Sequence, residues 1–157
     1  MFSLGTYAGA HRGVVLAMKE RNNLAVRRHV GAVLDAALDY LEARGDLPAG
    51  AILVPAPTRP SNARARGGDP VEVCCRATSR KVASVLRLDE GAADQSKLDA
   101  ASRRSNLAGA VTVTGLPFGN CVVVDDVVTT GATLQASVEK LLACGADVVG
   151  CVTVCSA

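Results

Sequence analysis

Between Val122 and Leu134 the chain reads Val-Val-Val-Asp-Asp-Val-Val-Thr-Thr-Gly-Ala-Thr-Leu. A run of β-branched residues suits a strand buried on both faces. Such a strand delivers whatever follows it to the carboxyl edge of a sheet, where open α/β folds bind ligands. Here it delivers Asp125 and Asp126, then a hydroxyl-rich turn, Thr129-Thr130-Gly131-Ala132-Thr133, that leads into residues with helical spacing. The first amides of a helix have no carbonyl partner within it and lie at the positive end of its dipole, so a phosphate dianion fits there. Thr129, Thr130 and Thr133 add hydroxyl donors, and Gly131 lets the backbone come close to the ligand.

The two carboxylates would repel that phosphate, so their partner is something else. Carboxylates accept hydrogen bonds from vicinal hydroxyls, and a sugar spans the distance to the turn; the segment as a whole describes ribose 5-phosphate. Asp125 and Asp126 also suit Mg²⁺, which takes hard oxygen ligands. A plain strand end followed by a helix cap would need one polar residue. It does not account for two acids, three threonines and a glycine within nine positions. The segment is not a Walker loop either, since the G-x-x-x-x-G-K-[ST] pattern and its lysine are missing.

Two cationic clusters accompany the segment. Arg59, Arg64 and Arg66 follow the apolar run Ala51 to Pro55, and Lys97, Arg103 and Arg104 lie in the polar stretch Leu88 to Ser105. Arg-rich loops are often no more than solvated surface. If they are functional, they suit a polyanion such as pyrophosphate. His11 and His29 have no neighbours that imply base catalysis or metal binding, and read as ordinary histidines.

The elements that must position these groups follow from periodicity. Leu24 to Leu41 has apolar residues at three- and four-residue spacing, an amphipathic helix closed by Gly45 and Pro48. Ala51 to Pro55 reads as a buried strand, Ala56 to Pro70 as a loop, and Val71 to Leu86 as a second helix. Gly109 to Thr114 and Cys121 to Val124 read as strands, the latter ending at Asp125. Leu134 to Gly145 gives a helix and Val148 to Val154 a strand. Residues 1–20 carry only weak signals. The alternation predicts an α/β protein, a parallel sheet with helices on both sides.

The chain of 157 residues is 49% hydrophobic and 20% charged, enough for one core and too short for two. With 3% aromatics and no Trp, the core must be Val, Leu and Ala, and a stacking surface for single-stranded nucleic acid is disfavoured. The net charge of +2 implies no nucleic-acid binding, so a DNA-binding reading rests on the arginine clusters alone. No apolar run approaches the roughly 20 residues of a bilayer span and no leader pattern opens the chain, so the expectation is a cytoplasmic protein. The six cysteines show no C-x-x-C spacing and read as reduced core thiols.

The Val122 to Leu134 segment resembles the phosphoribosyl pyrophosphate signature of type I phosphoribosyltransferases throughout. The rest is similar to the ComF/GntX-like branch of that superfamily. The residues that carry the likeness are Tyr7-x-Gly9-x-x-Arg12 with Lys19, Val54-Pro55-Ala56-Pro57, Arg66-Gly67, and Gln95-x-x-Leu98-x-x-x-x-Arg103-x-x-Asn106-Leu107-x-Gly109-Ala110. The resemblance implies a phosphoribosyltransferase-like fold, with residues 1–50 as an N-terminal hood and 51–157 as the ligand-binding core. It implies transfer of a phosphoribosyl group from Mg²⁺-bound phosphoribosyl pyrophosphate to a nitrogen nucleophile. Asp125 and Asp126 would hold the ribose hydroxyls, with Mg²⁺ bound directly or indirectly, and Thr129 to Thr133 the 5-phosphate. Ala56, Pro57, Thr58 and Arg59 would line the pyrophosphate, with Arg64 or Arg66 neutralising it, while Arg103 would belong to a flexible catalytic loop that closes over the site.

Relatives of this kind often carry a four-cysteine zinc module, which this sequence does not show, and no zinc is expected. The family's usual Arg-Gly-Phe-Asn-Gln stands here as Arg66-Gly67-Gly68-Asp69-Pro70. That change motivates an alternative, a non-catalytic ligand sensor or assembly component of DNA uptake in natural competence, partnered by a helicase or recombination protein. The oligomeric state, a homodimer included, is left open.

Overall fold

The structure is a computed structural model, and it describes residues 1–20, 23–89 and 110–157. In chain order its elements are β1 (Phe2–Ser3), α1 (Gly9–Lys19), α2 (Leu24–Ala43), β2 (Ile52–Pro55), α3 (Pro60–Ala65), α4 (Pro70–Arg76), β3 (Leu86–Leu88), β4 (Val111–Val113), β5 (Asn120–Val128), α5 (Ala132–Ala143) and β6 (Asp147–Ser156). Four strands form one parallel sheet in the order β1-β6-β5-β2, while β3 and β4 pair antiparallel in a separate ribbon. The α/β architecture expected from the alternation is present, with helices on both faces of the parallel sheet.

Successive side chains of β5 point to opposite faces, so each face receives half of the β-branched run. Val122 and Val124 join Leu53, Val152 and the α2 and α4 residues Leu34, Leu38, Val71 and Cys75. Cys121 and Val123 join Val54 and the α5 residues Leu134, Ala136 and Leu141, with Leu86 and Val111 from the ribbon. β5 is buried on both sides for this reason. A fully buried Leu or Val contributes about 1.5–3 kcal/mol, so these two layers dominate the apolar stabilisation.

Helix α2 begins at Asn23, whose side chain accepts from the Val26 amide at 3.3 Å. Its buried stripe, Val30, Leu34, Leu38 and Leu41, follows helical spacing. Helix α4 begins at Asp69, whose carboxylate accepts from the amides of Val71 (2.9 Å) and Glu72 (3.2 Å). Pro70 occupies its first turn, where no donor is needed. Arg80 ties the following turn to α2 through Asp35, Asp39 and Glu42.

Several elements differ from the sequence expectation. The helix read over Val71 to Leu86 ends at Arg76. Thr78 donates its hydroxyl to the Cys75 carbonyl at 2.6 Å and accepts from the Arg80 amide, turning the chain away. Residues 81–83 then run beside β2, with Leu53 N donating to Lys81 O and Ala83 N to Leu53 O. Val82 and Val85 satisfied the helical count by coincidence. The loop Ala56 to Pro70 contains α3, too short for an apolar stripe and started by Pro60. Residues 1–20 hold an edge strand and a helix, and β5 continues through the aspartates to Val128 because β6 accompanies it. All six cysteines are free thiols, but Cys144, at the end of α5, is exposed rather than in the core.

Gly31 shows how closely α2 and α4 approach. A Cβ there would lie 2.6 Å from Ala77 Cβ and 2.7 Å from Cys74 O. Alanine normally favours a helix over glycine by about 1 kcal/mol, but here the clash is with backbone and cannot relax by a rotamer change. Gly31→Ala is expected to destabilise the fold by about 2 kcal/mol net, measured by urea unfolding; an unchanged or raised midpoint would contradict this packing.

Candidate functional site

At the carboxyl edge of the sheet β2 stops before β5 does. Pro55 is the last residue of β2 in register, opposite Val124, and the Ala56 amide donates to Val124 O at 2.7 Å. β5 runs on alone beside β6, with Asp125 opposite Thr153 and Val127 opposite Cys155. Helix α4, the longer of the two that follow β2, packs on one face of the sheet and α5, which follows β5, on the other. The two chain segments therefore diverge and leave a crevice, the switch point at which open α/β sheets bind ligands. Ala56 and its loop stand on one side and Asp125-Asp126 on the other.

The acidic pair is asymmetric. The Asp126 amide donates to Asp125 Oδ1 at 2.8 Å, while Asp126 Oδ2 pairs with Lys19 Nζ of α1 at 2.9 Å. Burial pushes the Asp125 carboxyl up to about 7, and the neighbouring negative charge of Asp126 pushes the same way; the Asp126 amide and Lys19 oppose the rise. Beside Asp125 in register, the Thr153 hydroxyl is buried and has no hydrogen-bond partner among the described residues.

Past Val128 the chain turns through Thr129 and Thr130, both exposed, to Gly131. Gly131 takes φ 73° and ψ 4° at the N-cap of α5, a left-handed conformation that other residues adopt at a cost. The Thr130 hydroxyl accepts weakly from Ala132 N at 3.4 Å, and Gly131 O accepts from Gln135 N at 2.8 Å. The remaining first-turn amides, Thr133 among them, have no helical carbonyl to bond. Thr129, Thr130 and Gly131 border an open hollow of about 620 Å³.

On the other side, Ala56 and Pro57 are buried and Thr58 is half-buried. Pro57 and Thr58 border a cleft of about 290 Å³ together with Asp69, Glu72, Ser84 and Arg87. Burial raises the Asp69 carboxyl above its ordinary value, partly opposed by its hydrogen bonds to the Glu72 amide, the Thr58 hydroxyl and the Val71 amide. Arg59 and Arg64 are exposed and Arg66 is half-buried; none of the three borders this cleft. Arg103, with Lys97 and Arg104, lies outside the described residues.

Three groups in this neighbourhood are not evident from motifs. Lys19 belongs to the N-terminal pattern, but its pairing with Asp126 is a tertiary fact. Asp69 reads in sequence only as a departure. Arg27 is fully buried on α2, where Nε donates to Met18 O at 3.0 Å and one terminal nitrogen to Arg66 O at 2.7 Å. A signal for it does exist: Arg27 stands three residues before Val30 and seven before Leu34, a charge placed on the apolar stripe.

The family model of the phosphoribosyl transferase domain matches residues 79–157. The chain belongs to that family. No curated protein matches it. The match contains β5, the Gly131 turn, α5 and β6, so the family assignment covers the Asp125-Asp126 side of the crevice, while β2 and the Ala56 loop precede it. The family's chemistry is phosphoribosyl transfer, a transferase activity. Among the described residues no helix is long and apolar enough to cross a membrane, and no three or more His, Cys, Asp and Glu side chains gather as a metal site. Asp125 and Asp126 alone fit a Mg²⁺ ion that keeps most of its oxygen ligands from water and phosphates.

Because Asp125 holds its proton to higher pH when folded than when unfolded, the folded state binds more protons between about pH 4 and about 7. Stability therefore falls as pH rises through that window, and the penalty is complete above it. Asp125→Asn keeps the acceptor for the Asp126 amide and removes the charge. It is expected to match the parent near pH 4 and to exceed it at pH 8 by on the order of 2 kcal/mol, as read from denaturant unfolding at the two pH values.

Proposed function

We propose that this chain binds Mg²⁺-phosphoribosyl pyrophosphate in the crevice between β2 and β5 and transfers its phosphoribosyl group to a nitrogen nucleophile, as a ComF/GntX-like member of its family. The bond from C1 of the ribose to the pyrophosphate oxygen breaks, a bond from C1 to nitrogen forms, pyrophosphate leaves with the bonding electrons, and the nitrogen loses a proton to solvent. The observation that carries the reading is the position of Asp125-Asp126 where β2 has ended, one short segment before the left-handed Gly131 that opens α5.

In this reading Asp125 and Asp126 accept from the 2- and 3-hydroxyls of the sugar. The amides and hydroxyls of Thr129, Thr130, Gly131, Ala132 and Thr133 hold the 5-phosphate. Ala56, Pro57, Thr58 and Arg59 present the pyrophosphate side, with Arg64 and Arg66 supplying charge, and Arg103, outside the described residues, supplies charge to the leaving group. When bound, Mg²⁺ neutralises the departing pyrophosphate. Positive charge that develops at C1 lies near two carboxylates, an electrostatic contribution of the kind that lowers barriers most.

The test is pyrophosphate release from phosphoribosyl pyrophosphate with Mg²⁺ and a panel of bases, ammonia and glutamine. The Asp125→Ala, Asp126→Ala double variant loses two charged acceptors, each equivalent to about 1.5–3 kcal/mol. Release is expected to fall by at least ~100-fold, with the parent's circular dichroism retained. Undiminished release by the double variant would reject the assignment of the acids.

A second reading, a ligand-sensing or assembly protein of DNA uptake with a competence or recombination partner, draws support from the Arg66–Pro70 stretch. There Asp69 is engaged as the cap of α4 and the Arg66 carbonyl by Arg27, so both serve the fold. Tight binding of phosphoribosyl pyrophosphate by calorimetry, with no turnover on any acceptor, would favour this reading.

A further inference from the structure

We infer that Arg27 is a positioning residue that couples the two sides of the crevice, holding the end of α1 and the Arg66 loop at a fixed separation. The inference deepens the proposed function and rests on it for its meaning, since the two sides matter only if one ligand spans them.

Arg27 is completely buried, yet among the described residues its hydrogen-bond partners are two main-chain carbonyls and no carboxylate, and Nη1 has no partner among them. A buried guanidinium without a counter-ion is costly, and a methionine or leucine would fill the same stripe position at lower cost. Packing does not explain the choice. The two carbonyls do: Met18 lies in the last turn of α1, and Arg66 is the C-cap residue of α3. Carbonyls at helix ends lack helical donors and carry the negative end of the dipole, so one cation satisfies both.

The consequence is geometric. Met18 adjoins Lys19, which pairs with Asp126 on the diol side. Arg66 precedes Gly67, Gly68 and Asp69, and Asp69 borders the cleft beneath the Ala56 to Thr58 loop. A planar fork with several fixed donors can hold two carbonyls at once, and a lysine ammonium on a flexible stem cannot hold that same geometry. Arg27 touches neither proposed ligand, and acts through Lys19 and the Arg66 loop.

The experiment uses the full chain, with Arg27→Met, Arg27→Lys and, as a control, Arg80→Ala, which removes the ion pairs with Asp35, Asp39 and Glu42 at the other end of β2. Two reporters need no ligand: the Glu20 amide, bonded to Leu16 O, and the Gly68 amide, bonded to Ala63 O. In Arg27→Met both are expected to exchange hydrogen about tenfold faster. Arg27→Lys is expected to keep one protected and release the other, and Arg80→Ala to release neither. By calorimetry with Mg²⁺, Arg27→Met should weaken ribose 5-phosphate and inorganic pyrophosphate alike, about tenfold each, while Arg80→Ala leaves both unchanged despite a lower Tm. In Arg27→Met, loss of protection at only one reporter, or at neither, overturns the coupling, as does the weakening of one ligand alone. Should Arg27→Met not fold, the Arg27→Lys exchange pattern decides by itself. If the parent binds neither ligand, the proposed function falls and the exchange result still judges Arg27.

Discussion

The rest of the structure depends on holding two neighbouring carboxylates inside a hydrophobic sheet at the point where one flanking strand has ended. Two adjacent negative charges repel, and burial makes each more expensive. The fold meets this by giving Asp126 a cation, Lys19, and by giving Asp125 the Asp126 amide while leaving its carboxyl easy to protonate. Lys19 arrives on an eleven-residue helix that buries only Val15 and Met18. A helix that short is marginal in isolation, so the ion pair and the Arg27 hydrogen bond to Met18 O do double duty. They anchor α1, and Lys19 opposes the upward shift of the Asp125 carboxyl.

The crevice itself comes from connectivity rather than from any one side chain. The chain leaving β2 turns toward the face covered by α2 and α4, and the chain leaving β5 turns toward the face covered by α5. Since β1 pairs with β6 at the far edge, the opening stays between β2 and β5. Moving the acids by one residue would exchange their faces. Asp126 would then turn away from Lys19, and the positive-φ turn at Gly131 would follow the wrong side chain.

Most of the layered architecture was legible because periodicity reports burial. The α2 stripe and the apolar runs of β2, β5 and β6 are one- and two-sided burial patterns written directly into residue types. The acid pair, the threonines and Gly131 were legible as a group because they lie within one short segment. What failed was short or long-range. α3 has six residues and no stripe, and the Val71 to Leu86 periodicity concealed a turn made by the Thr78 hydroxyl. Lys19 and Arg27 find their partners far along the chain, and residue types alone do not state pairings. Arg27 comes nearest to being readable, since a charge on an otherwise apolar stripe asks what it is paired with.

Asp125 connects the stability of this fold with its chemistry. A carboxyl lifted to about 7 costs the folded state free energy wherever it is ionised, and an asparagine would hold the same amide without that cost. An ionised oxygen is the better acceptor for a diol, the better ligand for Mg²⁺, and the better neighbour for a cationic C1. A ligand that brings such groups draws the carboxyl into its charged form on binding and pays the desolvation with new contacts. On the proposed function, a ligand that supplies hydroxyls and positive charge together would offset the unfavourable ionisation of Asp125, and a bare phosphate, which supplies neither, would not.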